Sequence, residues 1–104
     1  MNREEFEAII KEVNDAKVCG IPYVEDECEL FVAAKPKLLQ ENMDVDRHRW
    51  YEISTSVYAV GEWFLGLTGV SNVFSETMGF DDCCVDTVAC EMQEFASVTY
   101  RPKR

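Results

Sequence analysis

Hydrophobic and polar residues alternate between residues 47 and 70 in a pattern that predicts a β-hairpin, and we expect the rest of the chain to pack on it. Residues 49–60 are rich in the β-branched and aromatic side chains that fit the pleated surface of a strand. Gly61 and Glu62 follow, and glycine at the first central position favours a two-residue type II′ turn. Residues 63–70 form the returning strand. With this turn, the predicted cross-strand pairs are Ala59–Phe64, Tyr58–Leu65, Val57–Gly66 and Val60–Trp63.

One face of the predicted hairpin carries much apolar surface near the turn, because successive side chains of a strand point to opposite faces. The side chains that share this face are Trp50, Tyr58, Trp63, Leu65 and Leu67. So large an apolar surface is either covered by another element or binds a partner. Core packing is the usual fate of such residues, so we expect a helix to cover the face and keep a binding surface as the alternative.

An apolar residue recurs every three or four positions near the start of the chain, and this spacing predicts an amphipathic helix over residues 3–17. The apolar stripe consists of Phe6, Ile9, Ile10, Val13 and Ala16. Asn2 and Glu5 have the spacing of a capping box, and Gly20 and Pro22 end the helix. Because the stripe is narrow, we expect this helix to lie on the core with its other side in solvent.

The pattern that follows this helix fits two structures. Asp26 and Glu29 are placed to cap a second helix over residues 27–34. Residues 28–32 fit a short strand equally well, and we favour the helix. Pro36 breaks either element.

The remaining segments are assigned by the same criteria. We expect one or two helical turns over residues 37–42 and a polar link over residues 42–46. Residues 71–78 predict another short helical turn, and alternation over residues 88–100 predicts the last strand. Glu94 and Phe95 break this alternation, which indicates a bulge or a strand end there. The sequence therefore predicts an α+β fold, in which an antiparallel sheet of three or more strands carries the N-terminal amphipathic helix.

The charge of the chain is strongly unbalanced. Its 104 residues fit one domain spanning residues 1–104, and 20 acidic against 10 basic residues give a formal net charge of −10. A field of that sign repels nucleic acid and anionic membranes and favours a basic partner. We therefore expect no direct contact with nucleic acid or membrane.

The number of cysteines and the N-terminal sequence indicate in which cellular compartment the protein is expected. The five cysteines are odd in number and two of them are adjacent, which does not suit a disulfide framework. The N-terminus lacks the pattern of a signal peptide, and no apolar run reaches the roughly 20 residues of a membrane helix. We expect a soluble, cytoplasmic and reduced protein.

Spaced carboxylates are the strongest candidates for a binding role. On a rigid frame they can imitate phosphates and occupy a basic nucleic-acid groove, since the same counterion release drives both contacts. A solvated acidic face is the alternative. Aromatic anchors are typical of interfaces, so the two tryptophans join the candidates. The predicted partner-binding residues are Glu25, Asp26, Glu27, Glu29, Asp44, Asp46, Trp50, Trp63, Asp81 and Asp82.

No catalytic motif is evident, so we predict no catalytic residue, no cofactor and no metal. His48 could activate the Cys83 or Cys84 thiol, but no family signature surrounds either cysteine. A metal site that combines these three residues with Cys90 has suitable ligand types but lacks paired C-x-x-C spacing. A small Cys/His-dependent enzyme or metal-binding factor stays an alternative.

Three segments of the chain resemble segments of other small proteins. The runs RHRWYEIS (residues 47–54), GVSNVFSETM (residues 69–78) and VTYRPK (residues 98–103) resemble small uncharacterised proteins of bacteriophages and mobile elements. The resemblance covers residues 47–103 and brings no catalytic residues with it. It implies an accessory protein of a mobile element that acts in the cytoplasm of the host bacterial cell.

Small acidic proteins of that origin are often inhibitors of host defence, such as anti-CRISPR proteins. The resemblance thus implies a non-enzymatic inhibitor that blocks the basic nucleic-acid-binding surface of a host protein or ribonucleoprotein complex. The alternative is a self-associating accessory or structural protein, a homodimer whose interface is the aromatic hairpin face.

Overall fold

The computed structural model describes residues 1–95 and 99–103, in which a helical layer packs on one face of an antiparallel sheet. This α+β arrangement is the predicted one. The helical layer consists of α1 (Arg3–Ala16), a 3₁₀ turn (Ile21–Tyr23), α2 (Val24–Glu27) and α3 (Glu29–Ala33). The strands are β1 (Lys37–Arg47), β2 (Tyr51–Val60), β3 (Trp63–Val73), β4 (Val88–Phe95) and β5 (Thr99–Pro102), which neighbour one another in chain order. A second 3₁₀ turn (Phe80–Cys83) lies between β3 and β4.

The central hairpin of β2 and β3 forms as predicted. All four predicted cross-strand pairs are present in the register. Gly61 has a φ of +61°, the positive value that the first central position of a type II′ turn requires. Beyond the predicted end, a register shift at Glu52 and Ile53 allows β3 to continue to Val73. The helical turn predicted over residues 71–78 is therefore wrong, because pairing with β2 continues the strand through Val73 and residues 74–78 are not helical.

The helical turns and polar link predicted over residues 37–46 are also wrong. This segment is β1, which pairs with β2 from Lys37 opposite Ala59 to Arg47 opposite Glu52. Its backbone hydrogen bonds come from a strand distant in sequence, so local propensity does not reveal it. Three register shifts interrupt the ladder, and Asn42 adopts a φ of +57° there, which asparagine tolerates better than most residues.

Helix α1 confirms its predicted cap and core-facing side. Asn2 Oδ1 accepts a hydrogen bond from the Glu5 N–H at 2.9 Å, and the Asn2 N–H donates to Glu5 Oε1, which completes the capping box. The helix ends earlier than Gly20, because Lys17 adopts a left-handed conformation with a φ of 50°. Phe6, Ile9 and Val13 are buried, whereas Ala16, the last member of the predicted stripe, is exposed.

The second helical segment is split in two, and its cap comes from another element. Cys28 adopts an extended conformation between α2 and α3, and no side chain of its own segment caps α3. Instead, Glu12 on α1 accepts hydrogen bonds from the backbone N–H groups of Leu30 at 3.1 Å and Phe31 at 3.3 Å. The helical interpretation is confirmed, but Asp26 is not the cap that the sequence suggested.

Helices cover the aromatic face of the hairpin, which confirms the favoured prediction. Trp63 stacks on Phe6 with ring centroids 5.5 Å apart, and Tyr58 meets Phe31 edge-on at 5.3 Å. The core between the layers consists of Phe6, Ile9, Val13, Val18, Ile21, Val24, Cys28 and Phe31 from the helical layer and Val60, Leu65, Leu67 and Ala89 from the sheet. The predicted binding face is thus mostly core.

Candidate functional site

A cleft of about 470 Å³ opens between the 3₁₀ turn and α2 on one side and strands β1–β3 on the other. Helix α1 packs on β4, so the helical layer is centred away from β1. The polar side chains that line the cleft include Glu25, Glu41, Glu52, Ser56 and Tyr58. We call this feature the acidic cleft.

Three elements each supply one carboxylate to the acidic cleft: α2 supplies Glu25, β1 supplies Glu41 and β2 supplies Glu52. Glu41 lies within a register shift of β1, and Glu52 borders the shift between β2 and β3. Bulges of this kind re-aim side chains relative to a regular ladder. The irregular pairing of β1 therefore helps to direct Glu41 into this space, whereas the shift beside Glu52 places its extra residue, Ser71, on β3.

No cation in the described part of the chain pairs with the acidic cleft. Among the described residues, none of its three carboxylates has an ion pair or a side-chain hydrogen bond. Arg47 is the cross-strand partner of Glu52, but its guanidinium lies over the Phe74 ring, 4.6 Å from the centroid. The carboxylates are thus available to a cation from outside.

Hydroxyl groups complete the lining. Ser56 is only 6% exposed, and within the described part of the chain its hydroxyl has no hydrogen-bond partner. The Ser56 oxygen is not fully enclosed, unlike the unpaired Ser54 Oγ and Thr87 Oγ1, so it opens onto the cleft and is available to a bound group. Burial raises the pKa of Tyr58, and the negative charges of Glu25 and Glu41 raise it further. Tyr58 therefore stays protonated at neutral pH and can donate a hydrogen bond.

The structure brings only part of the predicted acidic set to this cleft. Glu25 lines it, and Asp26, Glu27 and Glu29 are exposed on the adjoining surface of α2 and α3. A shallower groove, lined by Glu25, Asp26 and Phe31, continues the cleft along that surface.

The other predicted acidic residues are partly engaged within the chain. Asp44 is exposed on β1, and Asp46 contacts His48 at 3.3 Å between Oδ2 and Nε2. Asp82 accepts a hydrogen bond from the Gly79 N–H at 2.8 Å, while Asp81 is exposed beside it. These carboxylates do not line the acidic cleft.

The two tryptophans lie at opposite ends of the hairpin. Trp50 precedes β2 and is 46% exposed, with the Arg49 guanidinium 4.7 Å above its ring. Trp63 follows the turn and is half-buried against Phe6. Trp50 is therefore accessible as an anchor for a partner, whereas Trp63 contributes to the contact between the layers.

Glu41, Glu52, Ser56 and Tyr58 were not among the predicted site residues. Glu41 was missed because its segment was expected to be helical. The other three share one face of β2 with Ser54, and their polar character on a face that is otherwise apolar was the signal that could have found them.

The histidine and the cysteines do not form a reactive group in the described residues. No hydrogen bond joins His48 to a cysteine there, and His48 stacks on Tyr51 at 4.7 Å. Burial raises the pKa of the Cys83 thiol, and neighbouring Asp82 adds to the effect, which opposes formation of a nucleophilic thiolate. Over the described ranges, no three His, Cys, Asp or Glu side chains are grouped so as to hold a metal ion.

Comparison with protein-family models, with curated proteins and with solved structures finds no match for this chain. Of the helices that the structure describes, none is both long and apolar enough to cross a membrane.

Proposed function

We propose that this protein is a non-enzymatic acidic binding protein, encoded by a phage or mobile element, that blocks a basic nucleic-acid-binding surface of a host defence complex. The observation that supports the proposal most is the acidic cleft, whose carboxylates have no cationic partner within the described chain. Exposed acids of α2 and α3 extend the same surface. The sequence resemblance over residues 47–103 supports the origin and the host cytoplasm as the place of action.

Electrostatics supplies the mechanism. A net charge of −10 steers the protein toward positively charged surfaces and away from nucleic acid itself. Carboxylates that bind the arginine and lysine side chains of a nucleic-acid groove release the same counterions that phosphates would. Binding is therefore competitive with nucleic acid and weakens as the salt concentration rises.

The proposal is tested by affinity capture from bacterial lysate, followed by a competition assay. We expect the immobilised protein to retain a basic nucleic-acid-binding protein that elutes as salt is increased. Adding the free protein should then release labelled DNA or RNA from the captured partner, whereas polyglutamate of equal total charge should release much less. If the captured protein keeps its nucleic acid, or if no basic protein is captured, the proposal is wrong.

Self-association is the second candidate, and a specific surface favours it. The sheet face that points away from the helical core carries no charged residue on the described side chains of β2–β4. Its members are Ile53, Thr55, Val57, Ala59, Phe64, Gly66, Thr68, Val70, Val88, Cys90 and Met92. Val88 on this face is 53% exposed, whereas Val57, Val70 and Met92 are already buried within the chain, so only part of the face is accessible to a second copy. Sedimentation velocity at increasing concentration separates the candidates, since a strict monomer excludes this one.

A further inference from the structure

We propose that the acidic cleft binds an arginine side chain of the basic partner. This inference rests on the proposed function and deepens it, because it names the chemical group that the cleft recognises. Glu25, Glu41 and Glu52 come from three different elements and all line this one cleft, where they offer acceptor oxygens. A guanidinium presents five N–H donors in a plane, so it can satisfy several such acceptors at once.

The aromatic and apolar lining fits the rest of an arginine side chain. Phe31 and Tyr58 both line the cleft and meet edge-to-face at 5.3 Å. Phe31 is only 1% exposed, so the ring accessible to a guanidinium is that of half-buried Tyr58, and the methylene stem can pack on exposed Pro22. Lysine has a compact and strongly hydrated charge, which suits this lining less well.

Ser56 provides a second argument for a bound ligand, independent of the three carboxylates. Its side chain is nine-tenths buried, lines the cleft, and has no hydrogen-bond partner in the described chain. An N–H donor that enters the cleft would supply the missing hydrogen bond.

The size and lining of the cleft suit an organic cation. No three acidic side chains in the described ranges are grouped tightly enough for a metal ion, although three carboxylates line this cleft. A space of about 470 Å³ has room for a side chain. A cleft of this size, lined by carboxylates and the Tyr58 ring, therefore matches a planar organic cation better than a bare ion.

The protein holds one of its own arginines in the same way. Arg3 donates two hydrogen bonds to Glu91, at 2.8 and 2.7 Å, and its guanidinium lies 5.1 Å from the Trp63 ring centroid. A carboxylate and an aromatic ring thus already form an arginine site in this fold. The acidic cleft presents the same two kinds of group without the arginine.

The test is an NMR titration of the isotope-labelled protein with a blocked Gly-Arg-Gly peptide, with Gly-Lys-Gly and Gly-citrulline-Gly as matched probes. We expect the arginine peptide to shift the backbone signals of Glu41, Ser56 and Tyr58. The lysine peptide should bind several-fold more weakly, and the uncharged citrulline peptide should not bind. Equal binding of the lysine and arginine peptides would overturn the inference.

Variants then locate the site. Glu41→Gln and Glu52→Gln should each weaken the arginine peptide about three- to tenfold. Glu62→Gln removes the same charge at the exposed turn between β2 and β3, outside the cleft, and should leave the affinity nearly unchanged. Ser56→Ala should also weaken binding. If Glu62→Gln weakens binding of the arginine peptide as much as the cleft variants do, binding depends only on the net charge of the protein and the cleft is not the site.

The same variants separate failure of this inference from failure of the proposed function. If the cleft and control variants inhibit the captured partner equally, the inhibitor function stands and the arginine site is wrong. If the peptide binds in the cleft but no basic partner is captured, the site stands and the proposed function is wrong.

Discussion

Arg3 on α1 and Glu91 on β4 form a two-point ion pair across 88 residues of sequence, with Nη1–Oε2 and Nη2–Oε1 distances of 2.8 and 2.7 Å. Glu91 also accepts a hydrogen bond from Lys103 Nζ at 3.4 Å. The side chain of Glu91 is only 13% exposed. The pair therefore ties the first turn of the main helix to the sheet at the edge of the core.

This ion pair predicts how stability depends on pH. The hydrogen bond from Arg3 lowers the pKa of Glu91 below its usual value of 4.5, and Lys103 adds to the effect. The stabilisation is therefore present above the pKa of the unfolded chain and is lost as pH falls through the lower folded value. We expect Glu91→Gln to lower the melting temperature at neutral pH, by an amount that shrinks as the pH falls further below 4.5.

Thermal denaturation followed by circular dichroism across this pH range measures the effect. Glu62→Gln, at an exposed position without an ion pair in the described residues, is the control and should melt like the wild type throughout. A difference between Glu91→Gln and wild type that persists unchanged at acidic pH would contradict the assignment.

Glu12 predicts a second, local effect. Its carboxylate accepts from the first N–H groups of α3, so Glu12→Ala leaves those donors without their cap. We expect a loss of about 1 kcal/mol in the free energy of unfolding, the usual cost of removing a helix cap. Hydrogen exchange at the Leu30 and Phe31 amides should accelerate. Glu12→Gln keeps one acceptor oxygen, so its free energy of unfolding should lie between those of the wild type and Glu12→Ala. Unchanged exchange at the Leu30 and Phe31 amides in Glu12→Ala would refute the capping role.

The hairpin and α1 were predictable because their signals are local. The Gly61 turn determines the pairing of its flanking strands, and Asn2 and Glu5 lie within one helical turn of each other. The cap of α3 was not predictable, since Glu12 is separated from Leu30 by 18 positions. Only the folded chain brings this acceptor to its donors.

The candidate site was predicted only in part for the same physical reason. Glu25 was chosen from its acidic run, but the cleft depends on β1 being a strand. Irregular pairing with β2, including the left-handed Asn42, determines where Glu41 lies. Those shifts arise from contacts between strands, which composition and periodicity do not encode.

Replacing the two tryptophans should have opposite consequences. Trp63→Ala removes the stacking on Phe6 and should lower the free energy of unfolding by about 3 kcal/mol, since large aromatic truncations in or beside a core cost this much. Trp50→Ala should change it by less than about 0.5 kcal/mol, because the side chain is largely in solvent. Urea denaturation measures both. Comparable losses would mean that Trp50 also packs in the core.

Replacing either of two glycines in β3 by alanine should lower the free energy of unfolding, by amounts that differ between the two positions. A Cβ at Gly66 would lie 2.7 Å from Cγ and Sδ of Met92, a flexible side chain that can move aside. A Cβ at Gly69 would lie 2.7 Å from Thr87 Oγ1 and 3.1 Å from its Cα, and this backbone is held by the hydrogen bond from the Thr87 N–H to the Val18 carbonyl. We expect Gly69→Ala to destabilise by about 1–3 kcal/mol and Gly66→Ala by less, measured by urea denaturation. The reverse order would contradict this account.

Because Tyr58 lines the acidic cleft, its pKa leads to a prediction about the protein at alkaline pH. Its pKa is raised by burial first and then by the charges of Glu25 and Glu41, so the folded state holds the phenolic proton more tightly than the unfolded state does. The stabilisation this provides is complete below the usual tyrosine value of 10.0 and is lost as pH rises toward the folded value. Ultraviolet titration, with Tyr58→Phe to identify the signal, should show the Tyr58 pKa falling in Glu25→Gln and in Glu41→Gln but not in Glu62→Gln. An unchanged Tyr58 pKa in both cleft variants would show that these carboxylates do not share one space, and the proposed arginine site would lose its geometric basis.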